Sequence, residues 1–194
     1  SNTYQLVSTP NKYNSGDRQN YSRYYPRRLS AEVLLDSIDQ IAGTHTDFAN
    51  LPAGTRAVAL PDNSYNRSSP FLRVFGRPEG ESVCECERVQ SSSLAQSLHL
   101  INAADIRSKI SHPDGRAEKL AKEKLPLEDK INAVYLAAFS RLPSSIELKV
   151  ALDYLNAPVV NSAGQNVDAQ KAARENLQDL VWALINTKEF LFNH

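Results

Sequence analysis

Leu127-Glu128-Asp129-Lys130-Ile131-Asn132-Ala133-Val134-Tyr135-Leu136-Ala137-Ala138-Phe139, followed by Ser140-Arg141-Leu142-Pro143 and Ser144-Ser145-Ile146-Glu147-Leu148, holds the clearest helical signals of the chain. Leu127, Ile131, Val134, Tyr135, Ala138 and Phe139 recur at helical spacing and make one apolar stripe. Leu142-Pro143 stops that helix, because proline offers no amide and restricts the residue before it. Ser144 with Glu147 three residues on is a capping box, so a second helix starts at once. It carries Leu148, Leu152 and Leu155 on its inner face and halts at Pro158. Two helices joined by so short a link must lie antiparallel as a hairpin.

The same grammar extends outward. Downstream, the polar loop 161–167 precedes a long helix with Asp168 as N-cap and Ala173, Leu177, Leu180, Val181, Leu184 and Ile185 as its stripe. The end, Glu189-Phe190-Leu191-Phe192-Asn193-His194, is too apolar to lie free, and its aromatics are expected to dock. Upstream, a helix begins after Ser30 with Leu29, Val33, Leu34, Ile38 and Ile41 on one face, and Gly43 ends it in the left-handed position that favours glycine. A further helix carries Leu94, Leu98 and Ile101, and a short one carries Ile106 and Ile110. After the turn at His112-Pro113-Asp114-Gly115 comes a polar helix with Leu120 and Ala121 inward.

Residues 44–90 read differently. Pro52, Gly54, Pro61, Pro70, Gly76, Pro78 and Gly80 punctuate them, and short candidate strands lie between at Ala57–Leu60, Phe71–Phe75 and Val83–Val89. The expected fold is mainly α: a multi-helix bundle with an irregular, loop-rich insertion at about 44–90 carrying two or three short β-strands. Residues 1–28 form an extended N-terminal arm, and residues 29–194 form a single helical domain.

Composition bounds the function. The chain has 194 residues, 41% of them hydrophobic and 23% charged, which excludes full disorder and collagen-like structure. No apolar run approaches the roughly 20 residues that span a bilayer, so no membrane insertion is expected. Two cysteines cannot staple a chain of this length, and a hydrophobic core must hold it. There is no Met, and the opening Ser1-Asn2-Thr3 reads as that of an excised or processed segment. Lys+Arg 22 balance Asp+Glu 22, but locally the charge is uneven. Lys12, Arg18, Arg23, Arg27 and Arg28 face only Asp17 in residues 1–30, whereas Glu32, Asp36, Asp39, Asp47 and Asp62 face only Arg56 in residues 31–62. The basic arm is therefore expected to lie along the acidic stretch. Tyr21, Tyr24 and Tyr25 interleave with the arginines, but a chain without surplus positive charge is a poor polyanion binder, and no nucleic-acid partner is expected.

The most unusual local feature is Cys84-Glu85-Cys86-Glu87-Arg88. Cys84 and Cys86 are the candidate redox or metal residues. Two thiols one residue apart can share a soft metal, but a structural zinc site needs two more ligands from elsewhere, such as His45, His99, His112 or an acid. They can equally form a strained, labile disulfide or pack as small hydrophobes. Arg77, Glu85, Glu87 and Arg88, joined by Arg56 and Asp62, form either a salt-bridged layer pinning the insertion to the helices or a polar pocket for an anionic or sugar-like ligand. His45 lies two residues from Asp47, a weak metal-like pair. No nucleophile elbow, phosphate loop, dinucleotide fingerprint, His-Glu-x-x-His helix, Cys-x-x-Cys or haem-attachment motif occurs.

Several blocks in one order resemble a known family. Thr3-Tyr4-Gln5-Leu6 is followed by Pro26-Arg27-Arg28-Leu29 and Ala31-Glu32-Val33-Leu34-Leu35-Asp36. Then come Gly54-Thr55-Arg56-Ala57-Val58, Leu60-Pro61-Asp62, Phe75-Gly76-Arg77-Pro78 and the Cys84–Arg88 block. Leu94-Ala95-Gln96-Ser97-Leu98-His99, Tyr135-Leu136, Ser140-Arg141-Leu142-Pro143 and Trp182 through His194 complete the set. Together they resemble the C-terminal part of the bacterial domain-of-unknown-function family numbered 1553, also called the first planctomycete-specific domain. Leu142 departs from it, standing where a small or polar residue is expected.

The resemblance implies a domain at the C-terminus of a large exported protein, periplasmic or in the cell envelope. Such proteins often also carry a cytochrome-c-like haem domain and sometimes carbohydrate-binding modules. The implied partners are other domains of the same polypeptide, and carbohydrate. The implied haem c belongs to another domain, with no cofactor in this segment. No catalytic residues carry over. The first reading is a non-catalytic structural or interaction module. One alternative is a redox or metal-linked site at Cys84 and Cys86 serving a haem domain. The other is part of a polysaccharide-acting enzyme completed by upstream sequence. Metal analysis with thiol titration of fresh protein separates the cysteine readings: two free, slow-reacting thiols and no bound metal leave only the structural one.

Overall fold

The computed structural model describes residues 2–17, 19–66, 69–78, 96, 99–100, 103–159 and 167–193. Its helices are α1 (Ala31–Ala42), α2 (Pro70–Val74), α3 (Ala104–Ile110), α4 (Arg116–Lys122), α5 (Leu127–Phe139), α6 (Ser145–Leu155), α7 (Ala169–Ile185) and α8 (Lys188–Leu191). Short 3-10 turns lie at Asn2–Gln5, Ala57–Ala59 and Asn63–Asn66. Gln96, His99 and Leu100, from the helix expected after Ser91, are helical. The fold is mainly helical, as the stripes require. Among the described residues no helix is long and apolar enough to cross a membrane.

Helix α1 is the centre of the molecule. Leu34, Ile38 and Ile41 are wholly buried, packed in one core with Phe71, Leu72, Ile131, Val134, Leu177 and Ile185. Gly43 closes it at φ +70°, and an added Cβ there would meet the Arg116 amide at 3.0 Å. Left-handed backbone and close approach both demand glycine. Through this contact Arg116 reaches back, its Nε donating to the Ile41 carbonyl at 2.9 Å and Nη2 to that of Gln40 at 3.1 Å. Carbonyls in the last turn of α1 thus gain donors from the start of α4.

The hairpin forms as its sequence dictates. Ser140 takes the left-handed position at the end of α5, and Ser144 and Glu147 make the reciprocal capping box of α6. Asp168 caps α7 by accepting from the amides of Gln170 and Lys171. The C-terminal aromatics dock: Phe190 is buried in the core, and Phe192–Asn193 (β2) pairs antiparallel with Arg27–Arg28 (β1).

Two expected strands are helical instead. Ser69 caps α2 from outside and Pro70 opens it, a combination suited to a helix start. In a strand Phe71, Arg73 and Phe75 would share a face and force the arginine inward. The helix buries Phe71, Leu72 and Phe75, stacks the two phenylalanine rings at 4.3 Å and leaves Arg73 in solvent. At Ala57–Leu60 the amides of Ala57 and Val58 go to the Asp36 carboxylate at 2.7 and 3.2 Å, so they cannot join a ladder, and a 3-10 turn results. The strand expected at Val83–Val89 lies outside the described residues. The two-stranded sheet pairs residues just before α1 with those just after α8, outside residues 44–90.

The basic arm does not answer Asp36 and Asp39. Asp36 takes the two amides above and Arg56, and Asp39 takes Thr44, Thr46 and Lys109. In the arm, Arg23 donates to the Ser8 carbonyl and lies over the Tyr25 ring, while Arg28 donates to the Phe75 carbonyl. An Asp36→Ala substitution leaves the buried Ala57 amide without an acceptor. We expect it to cost about 2 kcal/mol in urea unfolding at neutral pH, with far-ultraviolet dichroism retained.

Candidate functional site

Of the polar residues singled out from sequence, Arg56 and Arg77 reach acids of α1, and Asp62 is bonded within its own turn. Arg77 is buried, with Nε donating to Glu32 Oε1 at 3.2 Å and Nη2 reaching the Leu60 carbonyl at 3.5 Å. Arg56 Nε lies 3.4 Å from Asp36, with its side chain mostly in solvent. Asp62 accepts from the Ser64 hydroxyl and amide, and these bonds, with the nearby Arg77 charge, hold its carboxyl below the usual range. Cys84, Glu85, Cys86, Glu87 and Arg88 lie outside the described residues. Among the described members, Arg77 and Arg56 each meet an acid of α1, Glu32 and Asp36, while Asp62 is engaged within its own turn. His45 and Asp47 are both exposed, and among the described residues no three potential ligands gather as a metal site needs.

A groove of about 670 Å³ opens elsewhere, between α6 and α7. Ile146, Val150 and Tyr154 form one wall, Leu180, Trp182 and Ala183 the other, with Tyr135 of α5 also lining it. The α6 wall is uncovered despite being apolar: Ile146 is 75% exposed, Val150 63% and Tyr154 47%. Its polar members satisfy one another. The Tyr154 hydroxyl donates to Asp179 Oδ2 at 2.8 Å, and burial together with that carboxylate raises the phenol pKa. The lining therefore offers shape and apolar area, with no nucleophile paired to a base.

One end of the groove is held by Arg141. Its Nη1 and Nη2 each donate to Glu147 at 2.9 Å, while Nε and Nη2 donate to Glu189 at 2.7 Å. The guanidinium also lies 5.3 Å from the Phe139 ring centre and 5.8 Å from that of Tyr135. Planar forked recognition of two carboxylates ties the start of α6, one wall of the groove, to α8.

Sequence reasoning missed this groove, though a signal was present. Leu142, Ile146, Val150 and Tyr154 repeat every four residues beside the inward Leu148, Leu152 and Leu155. A surface helix with one buried stripe should be polar elsewhere, and α6 is not.

The family model described as PSD1, Protein of unknown function (DUF1553), matches residues 1–155. No curated protein and no solved structure matches the chain.

The Arg141 bonds, with the Ser144 amide, lower the Glu147 carboxyl from its ordinary 4.5 to about 2. A depressed carboxyl stabilises the fold above its unfolded value, and the contribution fades as pH falls from about 4.5 towards about 2. Its partial exposure to solvent keeps the effect modest. Unfolding midpoints followed across that range should fall less steeply for Glu147→Gln than for the unaltered protein.

Proposed function

From the premise that this chain belongs to the PSD1 family of proteins of unknown function (DUF1553), we propose that it is a non-catalytic interaction module, with the α6–α7 groove as its contact surface. The observation that carries the reading is the exposed row Ile146, Val150 and Tyr154 beside Trp182. Contiguous apolar surface of this kind costs solubility and marks a place where something binds. Tyrosine and tryptophan are the residue types most enriched at such contacts. The charged side chains of α1 support the same reading, because they are spent on internal fastening.

The setting proposed for the module is the C-terminal region of a multidomain exported protein, in the periplasm or cell envelope, that also carries a c-type cytochrome domain. That setting rests on the family resemblance alone. There the module joins domains or chains and leaves redox chemistry and any polysaccharide binding to its neighbours.

Trp182 is the single tryptophan of the chain and lines the groove, so it reports on occupancy. At submicromolar protein, the neutral apolar dye Nile red should bind at one site, its own emission rising and shifting to the blue as it leaves water. Val150→Lys should weaken that binding about tenfold while the circular dichroism stays unchanged. Dye binding indifferent to Val150→Lys, or turnover of a glycan by the chain itself, would overturn the reading.

A further inference from the structure

The exposed face of α6 carries a second pattern besides its apolar row. Lys149 and Asp153 stand four residues apart on the flank of that row, both exposed. Neither has a hydrogen-bond or ion-pair partner among the described residues. The same spacing and order on α7 does form a pair, Lys171 with Glu175 at 3.8 Å. On α6 an uncovered apolar stripe is therefore bordered by one unpaired positive and one unpaired negative charge.

Such a strip is complementary to itself when reversed. Resting on the interaction-module reading, we infer that the occupant of this surface is a second copy of the same chain, with the two α6 helices packed antiparallel about a two-fold axis near Ala151. Helix geometry gives the register. At about 1.5 Å of rise per residue, an axis level with Ala151 lies midway between Lys149 and Asp153. Each Lys149 then stands opposite Asp153 of the second copy, and the pair forms twice. In an antiparallel pair each flank of a helix faces the same flank of its mate, as an isologous contact requires. Tyr154 lies about 4.5 Å along the helix from the axis, between Val150 of the second copy at about 1.5 Å and its Ile146 at about 7.5 Å. The tyrosine thus enters the hole between two exposed aliphatic side chains, and the reciprocal contact repeats it. On the opposite flank, the α6–α7 groove with Trp182 faces its own counterpart and is closed from water.

A parallel two-fold arrangement would set the charged flank of each helix against the opposite, groove-side flank of its mate and leave both charges without a partner, so the charges select the antiparallel pair. An unrelated helix could fill the apolar row, but nothing would require it to carry the acid and base at this spacing.

The test is sedimentation equilibrium of the full chain from submicromolar to high micromolar concentration. The expected result is a reversible monomer–dimer equilibrium, with Trp182 emission shifting to the blue and Nile red binding per chain falling as dimer forms. Lys149→Glu alone, or Asp153→Lys alone, places like charges opposite each other twice and should weaken the dimer about tenfold. The two single variants mixed in equal amounts should form a heterodimer, because each then meets opposite charge, and K149E/D153K in one chain should restore the homodimer. Both positions are exposed, so the fold is retained, and circular dichroism checks that. A chain that stays monomeric throughout, or a dimer whose affinity ignores these exchanges, overturns the second-copy assignment. If Nile red still binds the monomer in a manner sensitive to Val150→Lys, the interaction-module reading survives that failure.

Discussion

Glu32, Asp36 and Asp39 run along one side of α1 and are all buried. A carboxylate so placed is costly unless it is paired and hydrogen-bonded, and each of these three meets that demand with a different part of the chain. Glu32 holds Arg77 at the end of α2, Asp36 holds the turn at residues 56–58, and Asp39 holds Thr44, Thr46 and Lys109 of α3. The other side of the same helix is the aliphatic centre of the core. One helix thus organises two kinds of attachment: helices by apolar burial and loops by charge. Segments poor in backbone ladders, such as 44–66, keep a defined course because their amides and hydroxyls end on these acids.

The helices were legible because their signals are local. Gly43, the Ser144–Glu147 box and Asp168 act within one turn, and the stripes of α1, α5 and α7 repeat over several. Phe71–Phe75 was misread because five residues with one charge in the middle suit either period, and only burial against α1 decides between them. The acids of residues 31–62 stood out as a surplus of negative charge. Their partners did not, since Arg77 is 45 residues from Glu32 and Lys109 is 70 from Asp39. Proximity in sequence favoured the neighbouring basic arm, and tertiary packing chose otherwise. The groove escaped notice for a related reason. The row Ile146, Val150 and Tyr154 on α6 drew no notice beside the inward leucines, and only its exposure in the structure sets it apart.

These two surfaces divide the labour of the molecule. Glu32, Asp36, Asp39 and Arg77 are buried charges, and they fix loops to α1. Apolar area is left outside on α6 and α7, where it is available to another surface. This inverts the usual distribution at both places. Arg141 connects the two regimes: a charged clamp, stacked on the aromatic rings of α5, sets the position of the helix that carries the uncovered row.

The pairing of β1 with β2 bears on the order of folding. The Arg27 amide and the Asn193 side chain meet across 166 residues, the longest separation among the described side-chain hydrogen bonds. Closing a loop of that length costs entropy that grows with the logarithm of its span, about 0.6 kcal/mol for each doubling. Two short strands return little against it unless the intervening chain has already contracted. The α5–α6 hairpin and its neighbours close over short spans, so they can form first and bring the two distant strands within reach. The little sheet is therefore a latch that records completed assembly, and its amides should be among the first to exchange with solvent when the native state opens locally.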